Sequence, residues 1–210
     1  MGVGRVQIML INRERSTSKY LLCCSGIEEQ TFQLYRTLAK KVKHPEVDAL
    51  LVSIAYDSLK HSKTLSELAK NIIELEFDSH DCTGNMAELW DGLYTCTEEL
   101  HKIETLDTET FCEILKKLAD VEDVLTECYS EVLQPENLEA IALELQELNY
   151  VDSDILKSVF EKIIQDKQNH KETLVKLMYF FAKKESEKTQ STTPMVKYRN
   201  PDAWNRAAGF

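Results

Sequence analysis

The sequence lacks an excess of basic residues. Its 210 residues include 36 Asp and Glu against 25 Lys and Arg, which gives a formal net charge of −11. Binding to nucleic acid without sequence preference requires clustered Lys and Arg side chains that release counterions from the phosphates. The composition therefore argues against a nucleic-acid partner and predicts an acidic, solvated surface.

The start of the chain lacks a long hydrophobic run. Val6–Ile11 is apolar but covers only six residues, whereas a membrane-spanning helix needs about 20. The run is also too short for the hydrophobic region of a signal peptide. We therefore expect a cytoplasmic protein with no membrane partner. Residues 1–15 are interpreted as a loose N-terminal arm or short strand that packs on a neighbouring subunit, with disorder as the alternative.

The six cysteines include no Cys-x-x-Cys pair. This excludes the short-spaced ligand pairs of structural zinc sites and the thioredoxin type of redox motif. Six cysteines in a chain of this length also do not form the dense framework of a small secreted protein. We expect reduced thiols.

Two short patterns occur twice in the chain. Each copy contains a pair of acidic residues, a tyrosine six residues after the pair, and then an Asp-x-x-x-His segment. The first copy consists of Glu28-Glu29, Tyr35 and Asp57-x-x-x-His61. The second consists of Glu122-Asp123, Tyr129 and Asp166-x-x-x-His170. The repetition predicts an internal duplication of a helical hairpin, with acids on its first helix and an Asp/His pair on its second.

Apolar spacing and helix-capping residues predict an all-α fold with four long helices. We expect these helices to run from about Ser16 to Lys43, Glu46 to Phe77, Thr108 to Leu133, and Asp154 to Lys184. Two additional short helices are expected over Met86–Lys102, in a long crossover, and over Asn137–Asn149, in the bend of the second hairpin. Residues 16–184 should therefore form one helical bundle.

Two such hairpins joined by a long crossover resemble the ferritin-like superfamily, and especially its rubrerythrin-like di-iron carboxylate proteins. The resemblance covers about Ser16 to Lys184 and implies a ferritin-like four-helix bundle. In that family, the first helix of each half supplies a Glu and the second supplies Glu-x-x-His, which together bind two irons in the bundle core. The resemblance implies iron as the metal and a ligand set of Glu28, His61, Glu122 and His170, with Asp57 and Asp166 assisting.

The metal-ligand pattern is degenerate at one position in each half. Ser58 and Lys167 stand three residues before the two histidines, where the family has its Glu. The aspartates one position earlier also neighbour the histidines on a helix surface, so they can reach the same metal on a shorter stem. A protonated lysine cannot ligate a metal and repels a divalent cation. If Lys167 lies between Glu28 and Glu122, it replaces the metal with an ion pair, and no cofactor is expected.

The histidines and tyrosines also have purely structural interpretations. Each histidine has an aspartate four residues earlier that can serve as a hydrogen-bond partner within the same helix. Tyr35 and Tyr129 are interpreted as core residues whose hydroxyls bond the carboxylates.

Two function hypotheses follow. One is a metal protein with iron-dependent redox, oxygen or peroxide chemistry, which the paired acids and histidines favour. The other is a metal-free member of the same superfamily with a structural or partner-binding role, which Ser58 and Lys167 favour. The sequence does not decide whether the protein is an enzyme. A homodimer is the default assembly for a bundle with spare apolar surface, and any other protein partner is unknown.

The C-terminal residues 185–210 differ in composition from the bundle. Glu185–Pro194 is a polar linker, whereas Val196–Phe210, called the tail below, contains Tyr198, Trp204 and Phe210 among basic residues. We expect the tail to dock on its own bundle or on a neighbouring subunit, with Trp204 as the anchor.

Overall fold

The computed structural model describes residues 3–72, 82, 85–146 and 152–191. These residues form six helices and no strand, as the sequence predicted. The helices are α1 (Val3–Lys41), α2 (Pro45–Ile72), α3 (Asn85–Lys102), α4 (Thr108–Val132), α5 (Pro135–Gln146) and α6 (Ser153–Ser191). Four of them are long, and α3 and α5 are the two short helices expected in the crossover and in the second hairpin.

Helix α1 is longer than the sequence predicted. It begins at Val3, so the interpretation of residues 3–15 as a loose arm or short strand is wrong. The apolar run Val6–Ile11 is too short to show a helical period by itself, but it lies within the first turns of α1. At the other end of the chain, α6 extends beyond Lys184 to Ser191, so the first part of the polar linker is helical.

The helix boundaries follow from proline and from acidic caps. Pro45 occupies the first turn of α2, where its missing N–H is not needed. Asp107 caps α4 by accepting a hydrogen bond of 2.8 Å from the backbone N–H of Thr110. Asp152 accepts a 2.8 Å bond from the backbone N–H of Asp154 and caps α6 in the same way. Local residues therefore determine where α2, α4 and α6 begin.

The long helices pack as two hairpins, α1 with α2 and α4 with α6, while α3 lies on α1. Their inner faces carry the fully buried side chains Leu21, Ile27, Leu38, Leu51, Leu65, Leu115 and Phe160. The apolar pattern of the second helix predicts Leu50 on its inner face, but Leu50 is 43% exposed and its neighbour Leu51 is buried instead. The arrangement is the ferritin-like bundle expected from the sequence.

Cys23 and Cys82 form a disulfide. The expectation that all six cysteines are reduced thiols is therefore wrong for these two. Their Cα atoms lie 5.4 Å apart although the residues are separated by 59 positions, and this distance is within the range that a disulfide requires. The bond ties the crossover to the first helix.

No helix within the described ranges is both long enough and apolar enough to cross a bilayer. The end of α2 predicted near Phe77 and the tail lie outside the described residues.

Candidate functional site in the bundle core

A lysine lies between two glutamates at the centre of the bundle. The Lys167 ammonium donates a 2.7 Å hydrogen bond to Glu28 Oε2 and forms an ion pair of 3.2 Å with Glu122 Oε2. All three side chains have zero exposed surface. Glu28 comes from α1, Glu122 from α4 and Lys167 from α6. This is the position that the metal-free alternative requires for Lys167.

Each glutamate also accepts a hydrogen bond from a tyrosine of the other hairpin. The Tyr35 hydroxyl donates to Glu122 Oε1 at 2.7 Å, and the Tyr129 hydroxyl donates to Glu28 Oε1 at 2.8 Å. The predicted bond between tyrosine and carboxylate is confirmed. Because each Tyr lies seven residues after a Glu on its own helix, both point to the same helix face two turns apart. The tyrosine of α1 therefore bonds the glutamate of α4, and the tyrosine of α4 bonds the glutamate of α1.

The histidines pair with aspartates across the bundle. His61 Nε2 lies 3.2 Å from Asp166 Oδ2, and His170 Nε2 lies 3.4 Å from Asp57 Oδ2. The expected pairing of each histidine with the aspartate four residues earlier is wrong. Helices α2 and α6 face each other here, and each aspartate reaches the imidazole of the opposite helix.

The imidazoles connect these aspartates to the central glutamates. His61 Nδ1 lies 3.7 Å from Glu28 Oε1, and His170 Nδ1 lies 3.7 Å from Glu122 Oε1. These distances are too long for hydrogen bonds. The structure thus brings together Glu28, Glu122, His61 and His170 as an inner group, with Asp57 and Asp166 behind the histidines.

Sequence reasoning missed the lysines that surround the aspartates. Lys60 Nζ lies 2.7 Å from Asp57 and 3.2 Å from Asp166, and Lys162 Nζ lies 2.6 Å from Asp166. The signal was present, since Lys60 follows Asp57 by three residues and Lys162 precedes Asp166 by four, both of which are neighbouring positions on a helix. These half-exposed lysines neutralise the outer end of the site.

The two halves differ at the position three residues before each histidine. Ser58 is fully buried, like Lys167, but its side chain is far shorter. Ser58 Oγ, His61 Nδ1 and His170 Nδ1 have no hydrogen-bond partner within the part of the chain that the structure describes. The cation that pairs with both carboxylates therefore comes from α6 alone, and the equivalent position on α2 holds the uncharged Ser58.

Burial and charge act in opposite directions on the two glutamates. Burial raises the pKa of Glu28, and the neighbouring charge of Glu122 adds to this against the lowering effect of Lys167. Burial also acts to raise the pKa of Glu122, but the Lys167 ammonium and the His170 imidazole lower it to about 2. Burial thus opposes ionisation of both carboxyls, and the shared Lys167 ammonium is the main charge that favours it.

Lys167 keeps its charge in this environment. Burial alone lowers the pKa of the ammonium, but attraction from Glu122 and Glu28 outweighs it and raises the pKa above its usual value. The pKa of His61 is lowered to about 4, first by burial and then by repulsion from Lys167. His61 is therefore neutral at pH 7, and its Nε2–H is the donor to Asp166.

The donor set does not fit a metal centre while Lys167 occupies this position. A metal in the core would need the oxygens of Glu28 and Glu122 that already contact the ammonium. A divalent cation beside that ammonium would be repelled. Among the described residues, no group of three or more His, Cys, Asp or Glu side chains is arranged to hold a metal ion.

A helical bundle with two glutamates and two histidines converging in its core defines a ferritin-like protein. Comparison with known families agrees, because the Rubrerythrin family model matches residues 23–137, more than half of the chain. The chain belongs to the rubrerythrin family. The match ends before α6, the helix that carries Asp166, Lys167 and His170. No curated protein and no solved structure matches the chain.

Proposed function

We propose that this protein is a metal-free member of the rubrerythrin family with a structural or partner-binding role. The observation that carries the proposal is the Lys167 ammonium, which lies 2.7 Å from Glu28 and 3.2 Å from Glu122. Its single charge substitutes for the cations that hold the carboxylates in related proteins. A buried charge is tolerated only when it is paired and hydrogen-bonded, and this arrangement meets that condition.

The surface supports a partner-binding role. Tyr179 and Phe180 on α6 are 74% and 43% exposed, and the Phe180 ring contacts His44 at the α1–α2 bend. Aromatic side chains are enriched where proteins meet their partners. A second copy of the chain, in the homodimer expected from the sequence, is the simplest partner for this surface.

The alternative function is iron-dependent redox, oxygen or peroxide chemistry. One observation favours it: the Nδ1 atoms of His61 and His170 lie 3.7 Å from the central glutamates and have no hydrogen-bond partner among the described residues. Imidazole nitrogens next to carboxylates are suitable ligands for iron. In this alternative, Glu28, His61, Glu122 and His170 ligate and Asp57 and Asp166 assist.

The experiment is elemental analysis of protein purified without chelators and then incubated with Fe(II). We expect little iron in the wild-type protein. Lys167→Glu should raise iron uptake, because it removes the central cation and restores Glu-x-x-His in the second half. Adding Ser58→Glu to that variant should raise uptake further.

Lys176→Glu is the matched control. It makes the same charge change on the same helix, at a side chain that is 76% exposed, and should leave iron uptake unchanged. If the wild-type protein carries two metal ions per chain and Lys167→Glu adds none, the metal-free proposal is wrong.

Two expectations from the sequence stay predictions. The internal duplication is supported by the reciprocal contacts between Tyr and Glu and between His and Asp. The short N-terminal apolar run supports a cytoplasmic location, but the Cys23–Cys82 disulfide is a kind of bond more common in oxidising compartments.

A further inference from the structure

An apolar cavity lies between α3 and α4, away from the central glutamates. Its volume is about 510 Å³, within the range of about 300–1,000 Å³ typical of ligand clefts. Its apolar lining comes from Leu34, Leu89, Leu93, Ile114, Leu118 and Val121. Helix α3 packs on α1 and leaves this space on its α4 side.

The rim of the cavity is acidic. Glu88, Asp91 and Glu99 on α3 are exposed there, and Lys117 on α4 is the single basic residue among the lining residues. An occupant that combines a large apolar group with positive charge would be complementary to this site.

Gly92 leaves room at the centre of the α3 side. A Cβ atom added to Gly92 would meet no atom within 4 Å. A larger side chain at this position can therefore extend into the cavity without a clash with the bundle. Glycine inside a helix is less favourable than alanine, so the open space at this position is not explained by helix stability.

We propose that the tail, residues 196–210, docks in this cavity of its own chain, with the Trp204 indole as the buried anchor. The tail contains Lys197, Arg199 and Arg206 against one acidic residue, Asp202, in a chain whose net charge is −11. Its composition therefore matches the cavity in both respects: an aromatic group for the apolar interior and basic groups for the rim.

The chain is long enough for this contact. Phe181 on α6 packs on Phe111 in the first turn of α4, with ring centroids 5.0 Å apart, and Ile114, one turn further, already lines the cavity. From Phe181 to Ser191, α6 rises about 15 Å. The 13 residues from Ser191 to Trp204 can span about 43 Å when extended, at about 3.3 Å per residue. The tail can therefore turn back and reach the cavity.

A disulfide-trapping experiment tests the docking. Cys96 lines the cavity with a half-buried, free thiol. In the full-length Ala203→Cys variant, mild oxidation should link Cys96 to the new thiol next to Trp204 within one chain. The product should migrate as a monomer on a non-reducing gel, and peptide mass spectrometry should identify the link. Cys96→Ser in the same background should abolish it.

A second test fills the cavity with a larger side chain at Gly92. Gly92→Leu should lower the yield of the link several-fold, whereas Gly92→Ala adds only one methyl group and should leave it nearly unchanged. Deleting residues 196–210 should lower the melting temperature of the wild-type protein and have little effect in the Gly92→Leu variant, because the two changes remove the same contact.

Three results would overturn the proposal. One is a yield of Cys96 cross-link no higher than in the Cys96→Ser control. Another is a link formed only between two chains, which would make the occupant the tail of a second copy. The third is a Gly92→Leu variant that folds, as judged by circular dichroism, and cross-links as well as Gly92→Ala.

Discussion

Replacing Lys167 with Met should destabilise the protein strongly at neutral pH. The ammonium and both glutamates are fully buried, so the variant retains two facing carboxylates with no central cation. Removing one member of a buried ion pair costs about 3–5 kcal/mol. Since whole domains are stable by only about 5–15 kcal/mol, a loss of this size should shift the urea midpoint visibly at pH 7.

The same variant should recover stability in acid. Without Lys167, one of the two carboxyls should take up a proton in the folded state, because burial already raises the pKa of Glu28 and Lys167 is what opposes that rise. A carboxyl whose pKa is higher in the folded than in the unfolded state contributes stability at low pH and loses it as the pH rises through the folded pKa. The deficit relative to wild type should therefore be smaller at pH 5 than at pH 7.

Equilibrium urea unfolding at the two pH values measures both effects. Lys176→Met, at a side chain that is 76% exposed, should stay within about 0.5 kcal/mol of wild type. Combining Lys167→Met with Glu28→Gln and Glu122→Gln removes all three charges and should restore much of the stability. A loss below about 1 kcal/mol for Lys167→Met, or a deficit that does not change with pH, would refute the buried ion-pair reasoning.

Three further predictions concern other residues. The pKa of His61 is lowered from 6.5 to about 4, so its contribution is present above pH 6.5 and lost as the pH falls towards 4. This loss is about 3 kcal/mol, and His61→Gln should flatten the dependence of unfolding free energy on pH in that window. Cys82→Ser opens a disulfide across 59 residues and should cost about 4 kcal/mol; reductant should weaken the wild type equally and leave this variant unchanged in urea unfolding. Tyr129→Phe removes a 2.8 Å bond to Glu28 and should cost about 1.5–3 kcal/mol, whereas Tyr179→Phe at the surface should be neutral in the same assay.

The sequence predicted the features that depend on position along one helix. The seven-residue interval between Glu28 and Tyr35 places both on one face whatever that face contacts. Lys167 stands one turn before His170, which made a position between the carboxylates one of the alternatives, and the structure places it there. Asp107 and Pro45 determined two helix starts through local backbone chemistry alone.

The features that depend on how helices meet were not predictable. Pairing His61 with Asp57 requires only one helix, but the observed partner is Asp166 on α6, and this choice depends on the separation and rotation of α2 and α6. The pairing of Cys23 with Cys82 cannot be read from the spacing of the cysteines along the chain. Leu50 and Leu51 differ by one position, which is within the error of assigning a helix face from an apolar pattern.

The central cation of this bundle is part of the polypeptide, which affects the order in which the core can form. Glu28 and Glu122 are both present by the end of α4, but Lys167 is supplied only by α6, which is synthesised after α4. Until α6 docks, α1 and α4 can approach only by bringing two carboxylates together without a counterion. The region matched to the family, residues 23–137, therefore contains both acids without their neutralising partner. A bound metal can leave the core of a folded protein, whereas this cation is removed only when α6 itself detaches.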